Sequence, residues 1–153
     1  MEIREIEQNE LDDLLELYRH LHESDVPLPG RDIVEGIWKE IQSDSKLIYF
    51  GVFMENKLVS SCTLSIIPNL TRGCRPYGVI ENVVTHADYR RKGLGKDVLK
   101  KALAYSWNCN CYKVMLLTGR MNEDTFQFYE SAGFDRYSKQ AFLAKPEKGY
   151  EIG

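Results

Sequence analysis

The chain has 153 residues, 43% of them hydrophobic, with 20 basic and 23 acidic side chains and a formal net charge of −3. That suffices for a single domain, taken as residues 1–153, with a core of its own, and it speaks against a protein that wraps nucleic acid through a basic face. No run approaches the roughly 18 apolar residues of a membrane span, and Met1-Glu2-Ile3-Arg4-Glu5-Ile6 lacks a signal peptide's apolar segment, so a soluble cytoplasmic protein with no membrane partner is expected.

In chain order, residues 1–7 alternate as a short strand with Ile3 and Ile6 as its apolar members. Asn9 is the expected N-cap of an amphipathic helix over 10–22, with Leu11, Leu14, Leu15, Tyr18 and Leu21 on one stripe. Pro27 and Pro29-Gly30 break it, and Asp32 starts a second helix carrying Ile33, Ile37, Trp38 and Ile41. Residues 46–55 and 57–67 are apolar and β-prone, and they read as a hairpin ended by Pro68. A Gly/Pro loop over 69–76 returns the chain to a β-branched strand at 77–86. A helix over 94–107 and a strand over 111–118 then imply a parallel crossover. Asn122 caps a short helix running to Ala132, Gly133 ends it as a left-handed residue with Phe134 packing behind, and a last strand is expected at 139–145.

The most informative stretch joins the strand 77–86 to the helix that follows. Arg90-Arg91-Lys92-Gly93-Leu94-Gly95-Lys96 is a basic turn with two glycines at a helix start. A helix N-terminus leaves backbone N–H groups without partners, and its dipole favours negative charge. Glycines let an anion approach closely, so a phosphorylated cofactor is expected there. Cys62, Cys74, Cys109 and Cys111 form no C-x-x-C pair, and His20, His22 and His86 share no ligand spacing, so no metal is expected. Reduced thiols are the default.

Arg90-Arg91-Lys92-Gly93-Leu94-Gly95, followed by Asn122-Glu123-Asp124-Thr125-Phe126-Gln127-Phe128-Tyr129-Glu130-Ser131-Ala132-Gly133-Phe134, resembles the GNAT superfamily of N-acetyltransferases. The first segment matches that family's R/Q-x-x-G-x-G/A motif, the second its N-x-x-A-x-x-Φ-Y-x-x-x-G-F segment, and the element order agrees from end to end. Thr125 stands where alanine is common, and His86-Ala87 where Asp-Pro often occurs. The resemblance implies an α/β fold of mixed, α+β character: a mostly antiparallel central sheet with one splayed parallel strand pair, flanked by helices. It implies acetyl-CoA as co-substrate, pantetheine along the backbone of Val83, Val84 and Thr85, and the diphosphate on amides from Arg91 to Lys96, with Leu94 among them. Asn122 and Tyr129 would line the far side near the thioester. Family members commonly dimerise, so a homodimer is compatible with it.

Amide formation from a thioester needs a neutral amine, a stabilised oxyanion and a protonated leaving thiol. An alkyl ammonium of ordinary pKa about 10.4 is scarcely neutral at pH 7, so a base is valuable. Glu81, on the central strand two residues before the pantetheine contacts, is the candidate; a solvated or ion-paired strand carboxylate is the competing reading. Tyr129 is the candidate acid, against a purely packing role beside Phe126 and Phe128. Asn122 is needed as a helix cap whatever the ligand. Arg90, Arg91 and Lys92 form either phosphate contacts or a solvated turn. The oxyanion is expected at a backbone N–H near Val83. The expected activity is acetyl transfer to a primary amine of a small molecule or peptide; a non-catalytic acyl-CoA sensor is the alternative, which Glu81 and Tyr129 together disfavour. The acceptor is expected between the 22–33 and 68–76 loops, with Glu23 and Asp25 able to attract a cation.

Overall fold

The computed structural model describes residues 1–148; residues 149–153 of the expected domain lie outside them. One sheet in the order β1-β2-β3-β4-β5 organises the chain: β1 (Glu2–Glu5), β2 (Leu47–Met54), β3 (Lys57–Ile67) and β4 (Tyr77–Thr85) are antiparallel neighbours, and β5 (Val114–Leu116) runs parallel to β4. Helices α1 (Leu11–Tyr18) and α2 (Arg31–Ser43) cover one face. Helix α4 (Leu94–Asn108) and the shorter α5 (Glu123–Ser131) cover the other, and a single turn, α3 (Thr71–Cys74), sits in the loop before β4.

The sheet separates two apolar layers. Phe50, Val52, Leu64 and Ile80 meet Val98, Leu99 and Ala102 of α4, whereas Phe53, Leu58 and Val84 meet Leu14, Leu17 and Trp38 of α1 and α2. Burying such side chains is worth roughly 1.5–3 kcal/mol each. The β2–β3 hairpin turns at Glu55 and Asn56, both at positive φ (50° and 65°), as a two-residue turn that matches strand twist requires.

Several expectations are corrected. Glu7, not Asn9, caps the first helical turn, in a reciprocal capping box with Glu10. Helix α1 stops at Tyr18 rather than 22: the amides of Arg19, His20 and Leu21 bond three residues back, to Glu16, Leu17 and Tyr18, so the helix tightens into a turn and the chain leaves it there. Helix α2 begins at Arg31, after Gly30. Its Ile33 and Ile37, expected on the apolar stripe, are exposed. The strand expected over 111–118 shortens to three residues, since β5 meets β4 only from Gly78↔Val114 to Ile80↔Leu116. No strand forms at 139–145. After α5, Arg136 turns back onto that helix, pairing with Glu123 and Glu130 and lying over the Phe126 ring. The segment beyond finds no ladder partner, and Phe142 and Leu143 are exposed.

Candidate active site

Strand β4 carries the feature that makes a site. Its register with β3 runs Ser60↔Thr85, Ser61↔Val84, then Thr63↔Glu81, so Asn82 and Val83 together face Cys62. This is a β-bulge, and Asn82 sits in it at φ 51°, in the left-handed region that asparagine tolerates better than a branched residue. Hydroxyls of β3 bond the carbonyls around the bulge: Thr63 Oγ1 donates to the Glu81 carbonyl at 3.0 Å and Ser60 Oγ to that of Val84 at 2.9 Å. Strand β4 turns away from β5 at the same place, for their pairing ends at Ile80.

The gap opens into a cleft of about 820 Å³, lined by Glu81, Asn82, Val83, Val84 and Thr85 on the β4 bank. The other bank supplies Leu116, Leu117, Thr118 and Arg120 with Thr125, Phe128 and Tyr129. Backbone groups of β4 beyond Ile80 have no β5 ladder to satisfy them, which suits an extended ligand that hydrogen-bonds as a strand would.

At the mouth lies the basic turn. Arg91 stands at φ 61° and Gly93 at φ 81°, and two left-handed positions so close together turn successive amides into a concavity fit for an anion at the start of α4. A Cβ on Gly93 would meet nothing within 4 Å, so its glycine serves the backbone conformation. Gly95 differs from the sequence reading: a Cβ there would lie 3.0 Å from Phe128 Cζ and 3.2 Å from Thr85 Oγ1, so this glycine lets α4 pack close to α5 and β4 as well as opening the cleft.

Arg91, Gly93, Leu94, Gly95 and Lys96 line the cleft. Lys92 instead lies over the Tyr89 ring, 4.9 Å from its centroid. Arg90 also lines the cleft, but its Nε donates to the Thr85 carbonyl and its Nη2 to the His20 carbonyl. Asn122 is the cap of α5, accepting the Thr125 N–H at 2.9 Å, and is not part of the cleft wall.

Tyr129 is brought opposite β4. Burial raises its pKa above the ordinary 10.0; Arg120 works against that rise, while Glu81 adds to it. The phenol therefore holds its proton at neutral pH. The backbone of Tyr129 is fixed by the helix end: Gly133, at φ 107°, donates to the Glu130 carbonyl and Phe134 to the Tyr129 carbonyl, a Schellman pair that explains the Tyr-x-x-x-Gly-Phe spacing. Sequence reasoning missed the bulge, the His20-Leu21-His22 wall and Arg120. Only Asn82, a turn-prone residue inside a β-branched run, signalled the first.

A bulged strand, a diverging parallel neighbour and an amide-lined helix start define an N-acyltransferase site built for a coenzyme A thioester. The profile of the Acetyltransferase (GNAT) family matches residues 11–134, and the chain belongs to that family. Glucosamine 6-phosphate N-acetyltransferase of Trypanosoma brucei brucei is 34% identical over 143 residues, 94% of this chain and 95% of that one. A solved structure from Agrobacterium tumefaciens str. C58, provisionally assigned as an acetyltransferase, superposes with a TM-score of 0.89 at 38% identity, over 95% of this chain and 100% of that one. Glucosamine-6-phosphate N-acetyltransferase of Arabidopsis thaliana shares the fold, with a TM-score of 0.81 at 24% identity over 94% and 97% of the two chains. The chain is thus an acetyl-CoA-dependent N-acetyltransferase acting on an amine. The described residues include no group of side chains able to hold a metal, and no helix among them is long and apolar enough to cross a membrane.

Proposed function

We propose that residues 1–153 form one catalytic domain that acetylates the primary amine of a small phosphorylated amino sugar of the glucosamine 6-phosphate kind. The observation that carries this is the cleft itself, where Glu81 and Tyr129 line one space and the acceptor-side wall sets the positive charge of Arg120 beside the ring nitrogens of His20 and His22. Glu23 and Asp25 do not line it, and Arg120 offers a positive charge to an anionic acceptor there. The near full-length relative named for glucosamine 6-phosphate supports the same acceptor. The four cysteines stand as free thiols, which suits a reducing, cytoplasmic setting.

Acetyl-CoA supplies the acyl thioester. Backbone groups of Val83, Val84 and Thr85 hold the pantetheine arm, and amides from Arg91 to Lys96, with the Arg91 and Lys96 side chains, hold the diphosphate. Asn122 and Lys92 act at one remove, the first by starting α5 and the second by packing on Tyr89. Glu81 takes the proton that the acceptor nitrogen gives up as the N–C bond forms. An N–H of the bulge near Val83 faces the carbonyl oxygen, and Tyr129 gives its proton to the sulfur as the C–S bond breaks. We further propose a homodimer, with exposed Tyr137, Phe142 and Leu143 as apolar surface for it to cover; sedimentation of the purified protein tests this.

Thiol release from acetyl-CoA, measured across glucosamine 6-phosphate, glucosamine, aminoglycosides, polyamines and peptide N-termini, tests the acceptor. Glucosamine 6-phosphate should exceed glucosamine in kcat/KM by about tenfold or more, the value of one or two charge-assisted hydrogen bonds. Equal turnover of the two sugars, or a preference for a peptide, overturns the phosphosugar reading. Glu81→Gln should lower kcat about a hundredfold or more; a change within a few-fold across pH 6 to 9 removes Glu81 as base.

A further inference from the structure

The segment His20-Leu21-His22 leaves the end of α1 and crosses the mouth of the cleft, where all three residues line the wall. It is fastened from both banks. On the cofactor side Arg90 bridges two carbonyls, its Nε donating to Thr85 at 3.2 Å and its Nη2 to His20 at 3.1 Å. On the opposite side Arg120 Nη2 donates to the carbonyl of Leu21 at 3.2 Å, across 99 residues of sequence. The His20 ring lies against His86, tilted by 38° with centroids 4.0 Å apart, and the Ala87 amide donates to His20 Nδ1 at 3.4 Å. Two successive carbonyls of one half-buried segment are thus held by arginines from the turn before α4 and from the loop between β5 and α5. Solvated surface arginines have no reason to converge in this way.

We propose that Arg90 and Arg120 are positioning residues for the acceptor: they fasten His20-Leu21-His22 across the cleft as the wall against which the acceptor is held. Arg90, which the sequence left open between a phosphate contact and a solvated turn, then acts on acceptor binding and not on the cofactor. The proposal rests on the acceptor lying on the His20–His22 side of the cleft, as argued above. Because the Arg90 guanidinium spans two carbonyls at once, a lysine ammonium cannot replace it, whereas a contact made through charge alone would tolerate lysine.

The full-length variants Arg90→Gln, Arg90→Lys and Arg120→Gln test this with three readouts: coenzyme A affinity by calorimetry, acceptor KM and kcat, and amide exchange over residues 19–24. Expected are coenzyme A affinities within about twofold of wild type, an acceptor KM raised about tenfold with a smaller change in kcat, and faster exchange in 19–24, with Arg90→Lys behaving as Arg90→Gln. Loss of coenzyme A affinity in Arg90→Gln that Arg90→Lys restores would make Arg90 a phosphate ligand and overturn the proposal. So would unchanged exchange and unchanged acceptor KM in Arg90→Gln and Arg120→Gln. Should wild type leave glucosamine 6-phosphate untouched, the acceptor reading fails alone: exchange and coenzyme A affinity still decide the fastening, and KM is taken with whichever amine of the panel is acetylated.

Discussion

At Tyr129 three local devices converge on one ring. Asn122 starts its helix, Gly133 and Phe134 end it, and the Phe128 and Phe134 rings flank it at centroid distances of 4.9 and 6.3 Å. If this phenol, kept protonated by burial, is the proposed donor to the leaving thiol, Tyr129→Phe should lower kcat about a hundredfold or more while the coenzyme A Kd stays within a few-fold. Steady-state rates beside calorimetry on the folded variant read both quantities; unchanged turnover would leave the ring a packing role. His86 makes a prediction of a different kind. Burial, then the neighbouring His20, Lys57 and Arg90, lower its pKa below the ordinary 6.5, with only Asp88 opposing, while its Nδ1 accepts the Asp88 N–H as a cap and its ring meets Tyr89 edge-on. Between the lowered folded value and 6.5 the unfolded chain binds more protons, so stability rises with pH there. The contribution is complete above 6.5 and is lost as pH falls through the folded value. His86→Asn puts an amide oxygen in place of Nδ1 as the capping acceptor and removes the titration, so the drop in Tm from about pH 7 to about pH 5 should be smaller than in wild type. Equal drops would assign the acid sensitivity to other groups.

The element on which the site depends is β4, and what matters in it is an irregularity. Asn82 at φ 51° allows Asn82 and Val83 to oppose Cys62 alone, which ends the partnership with β5 and opens the cleft. Asn82→Val places a branched side chain in the left-handed region at a cost of about 1–2 kcal/mol, whereas Asn82→Gly avoids that clash. Urea denaturation should find the valine variant the less stable of the two, and its kcat should fall further as the bulge relaxes; equal stabilities would mean that the bulge does not depend on this residue. Such a feature is only half written in the sequence. The turn at Arg91 and Gly93 and the run from Asn122 to Phe134 were legible because capping and left-handed glycine chemistry are settled within a few residues. The bulge depends on register with β3, and the arginine fastening joins residues 70 and 99 positions apart, distances over which periodicity carries nothing. The strand expected at 139–145 failed for the same reason, since its apolar pattern suits a ladder but Arg136 directs the chain onto α5 instead.

Over the whole molecule the two apolar layers meet the sheet unequally. The β2–β3 and β3–β4 ladders are long, with helices packed on both faces, while β5 is joined to β4 by three residue pairs and carries the loop that leads into α5. The α5 bank of the cleft is therefore the more weakly attached one, and a ligand lying along β4 with its phosphates on α4 and its thioester beside Tyr129 would tie the two banks together. Coenzyme A at a hundredfold excess over its Kd should stabilise the chain by about 2.7 kcal/mol, which for a domain of this size raises Tm by about 5–10 °C. The protection should concentrate in β4, the start of α4 and α5, where ligand contacts add to a short ladder, and much less in the β2–β3 hairpin, whose pairing is already complete. Amide exchange with and without coenzyme A distinguishes this from a ligand that merely adheres to the basic turn, because adhesion would protect residues 91–96 and leave α5 exchanging as before.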